Sequence, residues 1–152
     1  MKNFIYDLEK IQNTDVYVFL SNSKCLSADV NAAYDPTFSD PFEKNNCSVI
    51  NGGVVITKYT GSGGKSGTSD ASAEYMGYVR NILDSNNVVW QTGELGKVDA
   101  GGGGTVAKYI ANLDVDTVDL GVPVLSMHAP FEVISKLDLF MAYKAFLSFF
   151  TK

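Results

Sequence analysis

Two side chains in this sequence have types and positions suited to holding a metal ion. Asp29 lies near the end of the apolar stretch "CLSADV", and His128, the single histidine, follows the apolar stretch "VPVLSM". Carboxylate oxygens and imidazole nitrogens both bind zinc, and a loop after a strand can leave an imidazole exposed. Spacing alone favours a cap for Asp29, at a helix or turn that begins near Asn31. His128 could equally be an ordinary hydrogen-bonded side chain.

Two glycine-rich stretches could bring backbone amides close to a ligand. "TKYTGSGGKSGTSD" (57–70) resembles a phosphate-binding loop, but the G-x-x-x-x-G-K-S pattern requires glycine where Tyr59 stands. Nucleotide binding through GSGGKS is therefore a disfavoured alternative to a plain strand-to-helix loop. In "DAGGGGTVAKY" (99–109), four glycines precede a predicted helix and leave amides open to an anion or a carbonyl oxygen. A sharp turn that needs positive φ is the structural alternative, and both can hold together.

Composition excludes several classes of protein. The 152 residues carry a net charge of -5 without a basic stripe, so we expect no nucleic-acid partner. Cys25 and Cys47 form no C-x-x-C pair, which argues against a thiolate zinc site and indicates a reducing compartment. The N-terminus has acidic residues and no apolar core like that of a signal peptide, and no run reaches the roughly 18 apolar residues that span a bilayer. We therefore expect a cytoplasmic protein without membrane contact.

The apolar periodicity predicts alternating strands and helices. Helical spacing occurs over 3–14, 71–85, 105–113 and 130–150, the last beginning with Pro130 at its first position, and strands are predicted over 24–30, 53–59, 87–93 and 117–127. The proline-containing stretch 31–46 is predicted to be a loop. This alternation predicts a single α/β domain over 1–152, with a mostly parallel sheet covered on both faces. Sites in such sheets lie at the carboxyl ends of strands.

Three longer segments together resemble the aspartyl aminopeptidase family of dinuclear zinc exopeptidases. They are "CLSADVNAAYDP", "GVVITKYTGSGGKSGTSDASAEYM" and "DAGGGGTVAKYIANLDVDTVDLGVPVLSMHAPFEVISKLDLFMAYKAF". The most specific parts are "SADV" and "DLGVPVLSMH", and the match runs from about Ser23 to the C-terminus. The resemblance implies an α/β/α sandwich of the zinc-exopeptidase type. It also implies a homo-oligomeric enzyme that removes N-terminal residues, often acidic ones, from peptide substrates.

The resemblance also implies roles for individual residues. Asp29 inherits the position of a ligand to one metal ion and His128 that of a ligand to the other. The cofactors it implies are two divalent ions, with zinc the first choice and Co or Mn compatible with the same ligands. Lys58 matches a lysine of the substrate pocket and would face an acidic side chain. The glycine-threonine loop near the substrate or a subunit contact matches Gly103, Gly104 and Thr105.

The sequence departs from the family pattern before Ser27. The family also uses an early histidine ligand, a bridging aspartate, a general-base glutamate and a further glutamate ligand, and the first 26 residues contain no histidine and no Glu-Glu pair. The chain is therefore expected to be the C-terminal portion of the catalytic domain, with no catalytic acid or base of its own. We expect the isolated 152 residues to be inactive or nearly so and to bind metal weakly. A non-catalytic subunit or binding module that keeps the fold remains the second hypothesis.

Overall fold

The computed structural model describes residues 2–13, 15–59, 68–97 and 103–152. The helices are α1 (Lys2–Gln12), α2 (Val16–Ser21), α3 (Ala73–Ser85), α4 (Ala107–Ala111) and α5 (Lys136–Phe150). The strands are β1 (Lys24–Ser27), β2 (Asn31–Ala32), β3 (Val54–Thr57), β4 (Trp90–Thr92), β5 (Asp116–Gly121), β6 (Pro123–Leu125) and β7 (Val133–Ile134). The predicted phosphate-loop stretch GSGGKS (61–66) lies outside the described residues.

The strands form two mixed sheets. In the larger one the order is β1-β5-β3-β4, and in the smaller one it is β2-β6-β7. Among the described residues, β1 with β5, β3 with β4 and β2 with β6 run parallel, whereas β3 with β5 and β6 with β7 run antiparallel. The predicted α/β class is confirmed, but the parallel pairs are divided between two sheets and the central β3–β5 pairing is antiparallel.

Helices α3 and α5 cover one face of the larger sheet. The amphipathic α3 turns its apolar side inward, which buries Tyr75 and Val79 against β3 and β5. Ala142 and Ala145 of α5 complete this core, because their small side chains allow the helix to lie close to α3. On the opposite face of β5, Thr105 bonds to Asp119 immediately before α4 begins. Side chains of β5 thus alternate between an apolar core and a polar layer.

Several predicted boundaries are wrong, and long-range pairing explains most of them. The helix predicted over 130–150 begins at Lys136, after Ser135 caps it by accepting the Leu137 amide. Upstream of that cap, β7 pairs with β6, so Pro130 is not in a helix. The strand predicted over 117–127 is divided into β5 and β6, which belong to different sheets. The predicted strand 24–30 ends at Ser27, and β2 lies within the predicted loop.

Helix α2 was not predicted from the sequence. Its six residues, VYVFLS, are too β-branched and too few to show helical periodicity. Asp15 caps it by accepting the Tyr17 amide at 2.7 Å, which is a local signal that the sequence does contain. No helix in the described ranges has the length and apolar composition needed to cross a membrane.

Candidate metal and substrate site

Asp29 lies in the short connection between β1 and β2, which belong to different sheets. Its side chain is half-buried, and its Oδ1 accepts the backbone amide of Val30 at 2.9 Å. A strand rather than a helix follows, so of the helix or turn cap favoured by spacing alone the helix form is wrong, and the local bond to Val30 is compatible with the turn form. The carboxylate therefore has no structural duty at a helix end, and it has further lone pairs that can bind another group.

Gly121 fixes the place of the Asp29 backbone. A Cβ atom at position 121 would stand 1.5 Å from the Asp29 carbonyl oxygen, so only glycine permits this approach. Gly121 ends β5, and β6 begins two residues later beside β2. The glycine of the "DLGVP" motif thus has a physical reason in this chain, because it lets the Asp29 connection pass over the junction between the two sheets.

His128 lies in a tight turn after β6. The Ala129 amide donates to the Ser126 carbonyl at 2.9 Å, which closes the turn, and the His128 amide donates to Glu132 Oε1 at 2.5 Å. His128 has a left-handed φ of 68°, an uncommon conformation for a non-glycine residue that is often found at functional sites. The imidazole is exposed and makes no hydrogen bond within the described chain. It is thus available to an incoming ligand.

An open pocket of about 490 Å³ adjoins His128. Its walls are formed by the strand ends of β2 and β6 together with the loop that contains Phe38 and Phe42. The lining is mostly apolar, and its one carboxylate, Asp35, is already hydrogen-bonded to the amide and hydroxyl of Thr37 at 2.8 and 2.6 Å. These two bonds lower the pKa of Asp35, so the pocket wall carries an ionised carboxylate. Asp29 is not among the lining residues.

Lys58 follows β3 directly, as predicted, but its ammonium group is paired. Lys58 Nζ donates to Asp70 Oδ1, and the side chains are 40% and 41% exposed. A backbone hydrogen bond holds the same two segments together, since the Ala71 amide donates to the Lys58 carbonyl at 2.9 Å. An acidic substrate side chain would have to compete with Asp70 for this lysine. An exposed ion pair of this kind is weak enough for such competition.

The glycine-threonine loop is attached to the polar layer over β5. Thr105 is buried, and its hydroxyl donates to Asp119 Oδ2 at 2.8 Å while accepting the Ala107 amide at 3.2 Å. Gly104 is exposed, and Gly103 is half-buried near Leu95. The Thr105 side chain is therefore turned toward the sheet, and the backbone of the two glycines is the part of the loop that a ligand can reach.

Asp119 is a buried carboxylate that sequence reasoning missed. Burial raises its pKa and the negative charge of Asp29 adds to this effect, whereas the hydroxyls of Ser27 and Thr105 lower it. Ser27 is the register partner of Asp119 across β1 and β5, yet within the described chain neither Ser27 Oγ nor Asp119 Oδ1 has a hydrogen bond of normal geometry. The signal for this residue was an acid within the otherwise apolar run "TVDLGVPVL".

A second buried polar group connects the Asp29 segment to the strand that precedes Lys58. Asn31 Nδ2 donates to Thr57 Oγ1 at 2.9 Å and to the Gly93 carbonyl at 3.2 Å, and its Oδ1 accepts from Ser48 Oγ at 2.7 Å. Four segments distant in sequence meet at this one amide. Buried networks of this kind hold neighbouring loops in a single arrangement.

The described chain supplies two of the predicted metal ligands, Asp29 and His128. Asp29 precedes β2 and His128 follows its parallel neighbour β6, so both lie on connections of the smaller sheet but at opposite ends of this strand pair. Within residues 2–13, 15–59, 68–97 and 103–152, no group of three or more His, Cys, Asp or Glu side chains could hold a metal ion. One carboxylate and one imidazole fit zinc chemically, but a closed site needs more ligands. The described residues therefore do not form a closed zinc site by themselves.

The mixed α/β fold, with one carboxylate and one imidazole on connections of its smaller sheet, is compatible with the class of zinc metalloproteases. The family model described as "Aminopeptidase I zinc metalloprotease (M18)" matches residues 2–150. The chain belongs to this M18 family.

Individual relatives agree with the family match. The chain is 45% identical to a probable M18 family aminopeptidase 1 of Borreliella burgdorferi, over 99% of this chain and 33% of the relative. The crystal structure of aminopeptidase I from Clostridium acetobutylicum is similar with a TM-score of 0.89 at 43% identity, over 97% of this chain and 32% of that one. A structure of the Saccharomyces cerevisiae mApe1 dodecamer matches with a TM-score of 0.69 at 27% identity, over 91% and 29%. The chain thus spans about a third of the length of the curated relatives it matches.

Proposed function

We propose that the polypeptide carrying these 152 residues is a metal-dependent aminopeptidase that hydrolyses N-terminal residues from peptides. The observation that supports this proposal is the continuous match of residues 2–150 to a zinc metalloprotease family. In this proposal the chain is the C-terminal portion of the catalytic domain, and further ligands and the general base come from other parts of the polypeptide.

Asp29 and His128 are proposed to supply one ligand each to a pair of zinc ions. A zinc pair, when bound, polarises the peptide carbonyl and lowers the pKa of the attacking water. The protein's contribution is to hold the two ligands in place. Gly121 sets the backbone position of Asp29, and the closed turn at Ser126–Ala129 directs His128. The absence of an imidazole hydrogen bond within the described chain leaves His128 ready to bind.

Substrate and assembly follow as further parts of this proposal. Lys58 recognises an acidic side chain only if that side chain displaces Asp70 from the ammonium group. The backbone of Gly103 and Gly104 contacts the peptide, and the enzyme works as a homo-oligomer, in keeping with the dodecamer formed by the yeast relative. Nucleotide binding has no support beyond the incomplete loop pattern in 59–66.

Zinc-dependent stabilisation tests the ligand assignment. The whole polypeptide is stripped with a chelator, and its melting temperature is measured across a zinc titration. We expect Asp29→Ala and His128→Ala each to weaken apparent zinc affinity by about tenfold or more, because each removes a ligand atom.

Asp40→Ala is the matched control, since it removes the same charge from an exposed carboxylate outside the site. It should respond to zinc as the parent does. A parent-like zinc response in Asp29→Ala or His128→Ala would refute the assignment. If the parent itself shows no zinc response but keeps its fold, the non-catalytic module becomes the better description.

A further inference from the structure

Asp119 occupies a position where packing alone would select an apolar residue. Its neighbours on β5, Val118 and Leu120, are buried in the core, and Asp119 itself is only 4% exposed. A buried carboxylate is costly unless hydrogen bonds compensate for the lost water. We therefore ask which group forms a hydrogen bond with this buried carboxylate.

The group that it holds is Thr105. The Thr105 hydroxyl has one hydrogen, and this is donated to Asp119 Oδ2 at 2.8 Å. The Thr105 hydroxyl oxygen in turn accepts the Ala107 amide at 3.2 Å, at the start of α4. Thr105 is 7% exposed, so its hydroxyl is shielded from solvent. The contact joins the central strand to the loop and helix that precede it in sequence.

This contact lies at the level of the sheet from which the candidate site residues emerge. Asp119 is in register with Ser27 on β1 and with Thr57 on β3, so the three polar side chains form a row across three adjacent strands. Asp29 follows Ser27 by two residues, and Lys58 follows Thr57 directly. The row thus lies one or two residues before both the proposed ligand Asp29 and the proposed substrate lysine Lys58.

Gly104 has open space around it within the described chain. A Cβ atom there would meet nothing within 4 Å, whereas left-handed φ values among the described glycines occur only at Gly53 and Gly96. Neither packing nor backbone conformation requires glycine at this exposed position. A missing side chain is useful where another molecule lies close to the backbone.

We propose that Asp119 is a positioning residue that acts through Thr105, fixing the backbone of Gly103 and Gly104 where the peptide substrate lies against it. The inference rests on the proposed aminopeptidase function for the identity of the ligand. The anchoring of the loop rests on the Asp119–Thr105 contact alone. The two can therefore be tested separately.

Limited proteolysis tests the anchoring in the whole polypeptide. Lys97 and Lys108 flank the loop and give trypsin a cleavage site on each side. Thr105→Val keeps the side-chain shape but removes the hydroxyl, so cleavage at these lysines should become about tenfold faster as the segment opens more often. Thr105→Ser keeps the hydroxyl and should restore parent-like cleavage.

Thr117→Val is the matched control for the loss of a buried threonine hydroxyl. Thr117 lies on the same strand and bonds to the Val115 carbonyl at 2.9 Å, away from the loop. It should leave cleavage at Lys97 and Lys108 within about twofold of the parent. Equal acceleration by Thr105→Val and Thr117→Val, or none by either, overturns the anchoring.

Steady-state kinetics on an aminoacyl p-nitroanilide test the substrate role. A loop that contacts ground state and transition state alike affects KM and not kcat, so Thr105→Val should raise KM about tenfold with kcat within about twofold. Asp119→Leu should raise KM to a similar extent. The double variant with Thr105→Val should raise KM little further, because each substitution removes the same Asp119–Thr105 hydrogen bond. Parent-like KM in Thr105→Val overturns the substrate role, as does an equal loss with Thr105→Ser. A parent without peptidase activity refutes the proposed function, whereas the proteolysis result still decides the anchoring.

Discussion

Gly121 is the residue that most directly connects the fold to the proposed ligand Asp29. Its missing side chain admits the Asp29 carbonyl oxygen, which would be 1.5 Å from a Cβ atom. Because the contact is with backbone, no side-chain rotation can relieve it. The position of Asp29 therefore depends on a residue 92 places later in the sequence, at the end of a different strand.

Gly121→Ala should displace the Asp29 connection. We expect a loss of about 2 kcal/mol or more in the free energy of unfolding and a zinc affinity about tenfold weaker. Urea denaturation and zinc titration measure the two effects. Gly77→Ala is the control, because a Cβ in the middle of α3 meets nothing within 4 Å and should stabilise the helix by up to about 1 kcal/mol. If Gly121→Ala behaves like Gly77→Ala, the close approach has no role.

The buried Asp119 carboxyl should make stability depend on pH. Burial raises its pKa in the folded state above the ordinary carboxyl value, so between those two pKa values the folded state binds more protons than the unfolded state. The contribution of Asp119 to stability is thus present in acid and lost as pH rises through the raised pKa. Asp119→Asn cannot ionise and should gain stability relative to the parent as pH rises from the ordinary carboxyl pKa to the raised pKa of Asp119.

Urea denaturation at several pH values checks this expectation. Asp40→Asn, at an exposed carboxyl, is the control and should run parallel to the parent. If the free energies of unfolding of Asp119→Asn and the parent differ by the same amount at every pH, Asp119 ionises at no extra cost in the folded protein.

At the scale of elements, one buried hydroxyl connects α3 to β1. Tyr75 is 1% exposed, and its hydroxyl donates to the Cys25 carbonyl at 2.9 Å. Burial raises the pKa of Tyr75, so the phenol stays a donor throughout the accessible pH range. The bond occupies a carbonyl of β1, a strand that pairs within the described sheet only with β5.

Removing this bond should loosen the helix on the strand. Tyr75→Phe is expected to cost about 1 kcal/mol in the free energy of unfolding, because the partly buried Cys25 carbonyl loses this donor. Tyr78→Phe, one turn along the same helix and partly exposed, should cost less than about 0.5 kcal/mol. Chemical denaturation of both variants decides the matter, and equal costs would mean that the Tyr75 hydroxyl contributes nothing specific.

Local signals predicted some elements and failed for others, for identifiable reasons. Helix α3 was predicted over 71–85 and found over Ala73–Ser85, because its apolar stripe and the Ser72 cap are both local. The predicted start of α5 at Pro130 was wrong, because the β6–β7 pairing that competes with it is not visible in a local pattern. For the site residues, too, local features were visible in the sequence and long-range contacts were not.

The residue types of the proposed ligands can be taken from the local sequence, whereas the contacts around them cannot. Asp29 and His128 were visible as polar side chains after apolar runs, and the structure places both on connections of the smaller sheet. Asp119 was missed, because its partner Thr105 lies 14 residues earlier and nothing local joins them. The pairing of Lys58 with Asp70 was missed for the same reason.

Across the whole molecule, the most conspicuous surface is the outer side of α5. It exposes a set of large apolar side chains, which are Leu137, Leu139, Phe140, Tyr143, Leu147 and Phe150. An apolar patch of this kind on an isolated chain favours association. A C-terminal portion of a larger catalytic domain would leave an apolar face of this kind uncovered.

The 152 residues alone should therefore self-associate. Size-exclusion chromatography with light scattering is expected to show a mass that grows with concentration, and Phe140→Glu should shift it toward the monomer. Val49→Glu puts the same charge at an exposed apolar residue outside α5 and should have little effect. A parent that is monomeric at all concentrations and melts sharply would contradict the role given to this face.

The central claim is that Asp29 and His128 bind catalytic zinc in a peptidase. Its most direct test is hydrolysis of an aminoacyl p-nitroanilide by the whole polypeptide, before chelation, after chelation and after zinc is added back. We predict that chelation abolishes the parent's activity, that zinc restores it, and that Asp29→Ala and His128→Ala stay at least about 100-fold below the parent with zinc present. Parent-like hydrolysis by either variant, or activity that survives chelation, would contradict the claim.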